Sequence, residues 1–529
     1  MQRRDFLKTT AATAAGLSLA PLLPRLRSAD SARRRPIQNP QSKIQNPNIL
    51  LIMADDLNHW VGYIGRNPQT RTPNLDRFAA QAVSFDHAYC VVPLCNPSRC
   101  AIFSGRRAST TGVYTNDNLP WRSYIDESQA LNGFLKSNGY YTAGAGKIYH
   151  VGGRGSGPDS QGVQWNDYFL GGPGEDDEAP RAKQYKSSKR AGGNQSTTFY
   201  GKIEVGSPDI PDAETSDNAI ARWAAAQLQK KHDKPFFIAA GFHKPHLPLI
   251  VPKKYFDLFP LDAIQLPPHL ATDLDDIPPA GKKMLETADG NRWNLVWKKG
   301  GDEGTTRWKS VVQAYLAAIA FTDAQMGIIL DALAASDYAD NTIVIVMADH
   351  GYHLGEKQHI GKAVLWEEAT RVPYLWRVPG LTPAAGVISH RVIESFSLFP
   401  TLCDLAGLPT PANLQGVSIK PLLENPTAEW TRPAVSTYDC NNHCVRTDQW
   451  RYIRYANGDE ELYDVKTDPN EWHNLASAPE HAPVKTALAK WLPAENVPNR
   501  APENKAPPGA QQKRAAARRN AAAKKDAGE

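Results

Sequence analysis

A mostly parallel α/β sheet sandwiched by helices, followed by a smaller α+β unit, is the architecture that three features of this 529-residue chain predict. Short, wholly apolar runs read as buried strands. They alternate with longer stretches whose apolar residues recur every three or four positions. Near residue 428 the alternation gives way to aromatic-rich runs of strand character. Strands covered on both faces carry continuous apolar runs because neither face meets water.

Asn48-Ile49-Leu50-Leu51-Ile52-Met53 and Thr342-Ile343-Val344-Ile345-Val346-Met347 are the clearest strands; Tyr140 to Ala143 and Pro235 to Ala239 are weaker ones. Helical periodicity runs from Asn74 to Ala82 and from Gln313 to Leu333. In the C-terminal unit, Val445 to Tyr455 and Glu461 to Asp464 predict a small antiparallel sheet, and Val484 to Leu492 a closing helix. The stretches 152–215 and 265–310 carry no interpretable pattern. Trp293, Trp297, Lys298 and Lys299 suit a sugar-stacking surface and a packed core equally well.

The two ends differ in composition from the rest. Arg3-Arg4-Asp5-Phe6-Leu7-Lys8, an apolar stretch from Thr9 to Leu23 and small residues at Ser28-Ala29 form the n-region, h-region and cleavage zone of a twin-arginine export signal, residues 1–29. The apolar run is shorter than the roughly 20 residues a membrane span requires, so no stable membrane association is expected. Export by the twin-arginine translocase to a periplasmic or extracellular location follows. Residues 30–47, with Arg33-Arg34-Arg35 and two Ile-Gln-Asn-Pro repeats, have linker composition. The principal domain spans 48–427 and the C-terminal subdomain 428–497. Residues 498–529 form a basic tail, expected to be disordered because it has almost no large apolar residues.

Net charge is +5, but residues 1–47 hold nine basic and two acidic residues, and 500–529 hold eight basic and three acidic, leaving −7 for 48–499. A mildly acidic core offers no general field for nucleic acid. An anionic substrate must therefore meet cations placed locally. Six cysteines are too few for a disulfide framework in a chain of this length, and pairing of Cys440 with Cys444 is left open.

Polar clusters follow each of the four strands: Asp55-Asp56, Lys147 with His150, His243-Lys244-Pro245-His246, and Asp349-His350-Gly351. Ligands of open α/β sheets bind beyond the carboxyl ends of strands, so these clusters are expected to converge. Asp55, Asp56 and Asp349 are hard oxygen ligands suited to Ca²⁺ or Mg²⁺, and His350 can add a nitrogen or a hydrogen bond to the bound group. Without a cation, three neighbouring carboxylates would repel one another. Taken singly, these residues have ordinary readings: a loop pair for Asp55-Asp56, solvated lysines for Lys147 and Lys362, a loop histidine for His246 and a core one for His150.

The run Cys95-Asn96-Pro97-Ser98-Arg99, continued by Phe103-Ser104-Gly105-Arg106, resembles the segment in which type I sulfatases have a cysteine oxidised to Cα-formylglycine. An isolated cysteine would read as a small buried hydrophobe. The order of Asp55-Asp56-Leu57-Asn58, Thr72-Pro73-Asn74-Leu75-Asp76, Cys95 to Arg106, Gly146 to His150, His243 to Pro248 and Asp349-His350-Gly351 through Lys362 is similar to that family across roughly 48–400. Glu461-Leu462-Tyr463-Asp464 and Asp468-Pro469-Asn470-Glu471 extend the likeness. The His-Lys-Pro-His run, and histidine after Asp349, point to the iduronate-2-sulfatase branch.

The resemblance implies an alkaline-phosphatase-like fold and hydrolysis of a carbohydrate sulfate. A hydrated formylglycine has two hydroxyls, one to attack sulfur and one whose collapse expels sulfate, which splits one difficult step into two. It implies Asp55, Asp56, Asp349, His350 and the modified Cys95 as holders of a divalent cation, Ca²⁺ ahead of Mg²⁺, and Arg99 beside the aldehyde. Lys147, His246 and Lys362 would surround the sulfate, His246, or Lys362 with it, protonating the leaving oxygen and His150 serving as base in sulfate release. A formylglycine-generating enzyme is an implied partner, acting in the cytoplasm before export. A phosphate or phosphonate ester hydrolase of the same superfamily and a glycan-binding relative with an unmodified Cys95 are the competing readings.

Overall fold

The computed structural model describes residues 46–116, 125–150, 164–169, 197–200, 202–287, 292–298 and 300–500. The export signal, nearly all of the linker and the tail beyond residue 500 lie outside these residues, as does most of the 152–215 stretch.

A nine-stranded sheet forms the centre. Its order is Val387–Ser389, Val83–Tyr89, Arg371–Arg377, Thr342–Ala348, Asn48–Asp55, Phe236–Pro245, Tyr141–Gly146 and Asp167–Phe169, with Ile393–Glu394 also pairing to Val83–Tyr89. All four predicted strands are present and adjacent. Asn48–Asp55 lies between Phe236–Pro245 and Thr342–Ala348 and is parallel to both, with Leu51 opposite Ala239 on one side and Ile345 on the other. Every residue of Asn48–Asp55 and Thr342–Ala348 is buried, as continuous apolar runs require. One strand opposes the rest: Arg371–Arg377 is antiparallel to both its neighbours.

Helices cover the sheet in two groups. Pro73–Ala79, Ser216–Gln229 and Gly301–Ala334 pack together, and Cys95–Ser104 packs with Leu131–Ser137 and Leu398–Ala406. Gly301–Ala334 is long and apolar enough to cross a membrane, but 72% of its most apolar window is buried inside the fold. It begins well before Gln313 because Trp308 anchors its polar first turns. Trp293 stacks on Trp297 with ring centroids 5.6 Å apart and meets Trp308 edge-on at 4.9 Å. Trp293 and Trp308 are buried, so these rings are core packing and not an open sugar platform. Two helices, Pro279–Thr287 and Arg292–Trp297, occupy the stretch that the sequence left unread.

The C-terminal region carries a separate antiparallel sheet in the order Ala434–Thr437, His443–Arg446, Trp450–Arg454, Glu460–Asp464, closed by the helix Ala482–Ala489. The single run expected from Val445 to Tyr455 is a hairpin, turned by Thr447, whose hydroxyl accepts the Gln449 and Trp450 amides. Arg451, fully buried, pairs with Glu367 and Glu471 and so ties this sheet to the segment below the predicted site. Cys440 and Cys444 are unpaired thiols, like the other four cysteines.

Candidate active site

Cys95 is the first residue of the helix Cys95–Ser104, entered from an extended Leu94 and ended by Gly105 in the left-handed region. All ten residues of this helix are buried. The helix start puts the positive end of the helix dipole beside the thiol, which favours a thiolate. Lys362 Nζ lies 3.0 Å and His350 Nε2 3.2 Å from Cys95 Sγ. Burial and Asp55 push the thiol up, but Lys147, Lys362 and His350 outweigh them and hold it well below the usual range.

The carboxylates arrive from two adjacent strand ends. Asp55 closes the first strand, and Asp56 turns away from it at φ 64°, a left-handed conformation that costs a non-glycine residue energy. Tyr315 holds that turn: its hydroxyl donates to the Asp56 carbonyl at 2.6 Å and accepts the Asn58 amide at 3.0 Å. Asp349 accepts the His350 amide at 2.9 Å and the Asp56 amide at 3.3 Å through Oδ1, and Arg99 Nε at 2.8 Å through Oδ2. Ser98 Oγ donates to the Asp349 carbonyl at 2.6 Å. Arg99, fully buried, also reaches to 3.5 Å from Asp55 and donates to the carbonyls of Lys147 and Ile148. One arginine thus joins three of the four strand ends.

Lys147 pairs with Asp55 and Lys362 with Asp56. Arg99, Lys147, Lys362 and His350 face Asp55, Asp56, Asp349 and Cys95, so basic and acidic groups are matched within the buried cluster. Burial alone would raise Asp55, yet Lys147, His246, Arg99 and Lys362 hold it well below the carboxylate range. Asp349, which burial dominates, is pushed up to about 6. Burial would lower His350, but Asp349 above all carries it up to about 9.

The ligand atoms of Asp55, Asp56, Cys95 and His350 all lie within 4.8 Å of one another. Asp55 Oδ1 is buried and accepts no hydrogen bond. Two carboxylates and an imidazole around a buried, unsatisfied oxygen are a donor set that fits a hard divalent cation. Asp349 borders this group, its oxygens engaged by Arg99 and two amides.

His246 stands on the open side, its side chain 34% exposed, Nε2 3.9 Å from Asp56 Oδ2 and Nδ1 donating to the Leu247 carbonyl at 2.6 Å. His150 is half-buried with Nδ1 unpartnered, and among the described residues no hydrogen bond or ion pair links it to the cluster. Tyr352 and His353, which follow the Asp349-His350 pair, are packed inside: Tyr352 stacks on Tyr315 at 5.6 Å, and His353 lies against His359 and Trp366. Sequence reading missed Tyr315 and also Asp217, whose carboxylate accepts the His243 and Lys244 amides and shapes the segment carrying His246. Both lie in ordinary helical sequence and act through contacts distant along the chain.

The chain is similar to known proteins along most of its length. Residues 47–408 match the Sulfatase family profile, 355–497 the profile described as N-sulphoglucosamine sulphohydrolase, C-terminal, and 1–20 the twin-arginine translocation signal, which directs export from the cytoplasm. A sulfatase of Formosa agariphila is 37% identical over 474 residues, covering 86% of this chain and 88% of its own length. Iduronate 2-sulfatase of Mus musculus is 29% identical over 525 residues, covering 83% and 93%. Among solved structures, phosphonate monoester hydrolase of Agrobacterium radiobacter superposes with a TM-score of 0.69 at 22% identity, covering 84% of this chain and 94% of that one. A 2-O glycosaminoglycan sulfatase superposes with a TM-score of 0.62 at 23% identity, covering 84% and 91%; these two show the shared alkaline-phosphatase-like fold. With the family profile spanning most of the folded chain and a relative 37% identical over most of both sequences, the chain belongs to the sulfatase family.

Proposed function

We propose that the chain hydrolyses a sulfate ester of a carbohydrate in the manner of an iduronate-2-sulfatase, using Cys95 after its conversion to Cα-formylglycine, and releases inorganic sulfate. The observation that carries this reading is the meeting of Cys95 with the Asp55–Asp56–His350 group and with Lys147 and Lys362 in one buried cluster. Relatives named for iduronate and for Δ4,5-hexuronate 2-O-sulfate support a sugar sulfate as the substrate class.

Asp55, Asp56, Asp349, His350 and residue 95 would hold a divalent cation, Ca²⁺ by the hardness of the oxygens, and Mg²⁺ less well because it demands tighter octahedral geometry. Such an ion supplies polarisation of the sulfate oxygens and orientation of the nucleophile. Formylglycine supplies a hydrated aldehyde with one hydroxyl for attack and one for release. The chain's own residues do the rest. Arg99 fixes Asp349 and Asp55 and the Lys147–Ile148 turn in one geometry. Lys147 and Lys362 bring ammonium groups beside residue 95, where they would meet the sulfate oxygens. His246, on the open side, is placed to protonate the departing sugar oxygen, and His150 to take the proton that frees sulfate.

The twin-arginine pathway carries folded cargo, so a formylglycine-generating enzyme would act on Cys95 before export. In domain terms, 48–427 carries the chemistry and 428–497 braces it through Arg451. The deciding test is the mass of the peptide containing residue 95, isolated from a host able to make formylglycine, together with turnover of aryl sulfate, aryl phosphate and aryl phosphonate. An aldehyde at 95 with sulfate turnover dominant is expected. An unmodified thiol, or dominant phosphonate turnover, overturns the reading.

A further inference from the structure

At the edge of the central sheet, away from Cys95, a second group of ligating side chains converges: Asp86, His87 and His390. His87 Nδ1 lies 2.6 Å from Asp86 Oδ1, and His390 Nδ1 lies 2.7 Å from Asp86 Oδ2, so the two imidazoles flank one carboxylate. All three ligand atoms lie within 4.8 Å of one another. Among the described residues neither ring has another hydrogen-bond partner.

The backbone is irregular at this place on both sides. Neighbouring residues of a regular strand point to opposite faces, so Asp86 and His87 would ordinarily diverge. Here Tyr374 opposes Phe85 and Val372 opposes Ala88, leaving Pro373 alone against Asp86 and His87. This is a β-bulge, a device that re-aims side chains, opposite a proline that has no amide to give the ladder. On the other flank Ser389 aligns with Phe85 and Ile393 with Ala88. The intervening loop carries His390 over the bulge.

We propose that Asp86, His87 and His390 form a second cation site, selective for a borderline divalent transition ion such as Zn²⁺. The donor set decides the class. Two imidazoles and one carboxylate suit Zn²⁺ and its neighbours, whereas Ca²⁺ takes six to eight oxygens that this edge does not provide. Three protein ligands with a fourth position open to water is a common tetrahedral arrangement; ligand atoms would separate to roughly 3.3 Å, given metal–ligand bonds of about 2.0–2.2 Å. That is a small opening from the present hydrogen-bond distances, and His390, 75% exposed, is free to make it. Two guanidiniums next to these residues along the chain or across the ladder are otherwise engaged: Arg371 donates to the Asp86 carbonyl and pairs with Glu367, and Arg391 donates to the Thr427 carbonyl. The ion would clasp the His390 loop to the bulged strand. That loop leads into Leu398–Ala406, the helix that packs on Cys95–Ser104.

The test is calorimetric titration of the full chain with Zn²⁺ after chelation and saturation of the protein with Ca²⁺, alongside His390→Ala. The exposed position of His390 makes that variant safe for folding. Wild type should take up one Zn²⁺ that His390→Ala binds at least about tenfold more weakly, since loss of even an outer-shell partner costs that much. Co²⁺ in place of Zn²⁺ should give the intense visible absorption of a tetrahedral site in wild type and not in the variant. Equal Zn²⁺ affinity in both proteins, or six-coordinate Co²⁺ spectra in both, would overturn the proposal.

Discussion

Gly146 and Gly241 meet at the carboxyl ends of neighbouring strands so closely that neither can carry a side chain. A β-carbon on Gly241 would lie 2.2 Å from the Lys147 carbonyl oxygen, and one on Gly146 would lie 2.2 Å from the Gly241 oxygen. The Lys147 amide donates to Gly241 O at 2.8 Å, and the Lys147 carbonyl accepts from Arg99. This contact, together with φ 70° at Gly146, turns Lys147 into the acidic cluster. Gly241→Ala should therefore displace Lys147, costing about 1–3 kcal/mol of stability as overpacking does and lowering turnover by far more than the stability loss explains. Thermal unfolding and kcat measured on the same preparation check it. Parent-like turnover would show that the close approach does not set Lys147.

His246 gives a prediction that separates two roles. If its exposed edge protonates the leaving oxygen, His246→Ala should lower turnover of a sugar or alkyl sulfate by roughly 10²–10⁴-fold, the usual contribution of a general acid. A nitrophenyl sulfate, whose leaving group needs no proton, should lose much less. Equal losses on the two substrates would leave His246 as a binding residue only.

How much of this was legible in the sequence depended on distance along the chain. Asp55-Asp56 and Asp349-His350 could be placed because each directly follows an apolar run, and two buried parallel strands put their ends together whatever lies between. Lys362 could be reached only through the family resemblance, and it does contact Cys95. Arg371–Arg377 was not read as a strand: Pro373 interrupts it, and nothing local records that its direction is reversed. Tyr315 and Asp217 escaped notice because a helix residue is assigned to the core by its periodicity, and a hydrogen bond to Asp56 across 259 positions leaves no local trace.

Metal removal should separate activity from folding. Asp55, Asp56 and Asp349 would repel one another alone, but Lys147, Lys362, Arg99 and His350 already offset them. Stringently chelated protein should thus keep its circular dichroism and a cooperative unfolding transition while losing sulfatase turnover, and Ca²⁺ should restore it. Unaltered turnover with metal loss confirmed by elemental analysis would contradict the assignment of these carboxylates as ligands.

His443 makes the stability of the C-terminal sheet pH-dependent in a direction that can be worked out. It is fully buried, with Nδ1 2.9 Å from Thr437 Oγ1 and Nε2 2.9 Å from Asn496 Oδ1. A neutral ring satisfies both: Nε2–H donates to the amide oxygen, and Nδ1 accepts from the hydroxyl. A protonated ring would bury a charge that the Asn496 hydrogen bond offsets only in part, so burial pushes the imidazole down to about 4. The unfolded chain takes up the proton first, near pH 6.5. Stability from this group is therefore complete above about pH 6.5 and is lost as pH falls towards 4, a loss on the order of 3 kcal/mol if fully expressed. His443→Gln can keep a donor and an acceptor without titrating. Urea unfolding at pH 7 and pH 4.5 should show a smaller acid-induced loss in the variant than in wild type. The same loss in both would mean that other buried groups, and not His443, govern acid sensitivity.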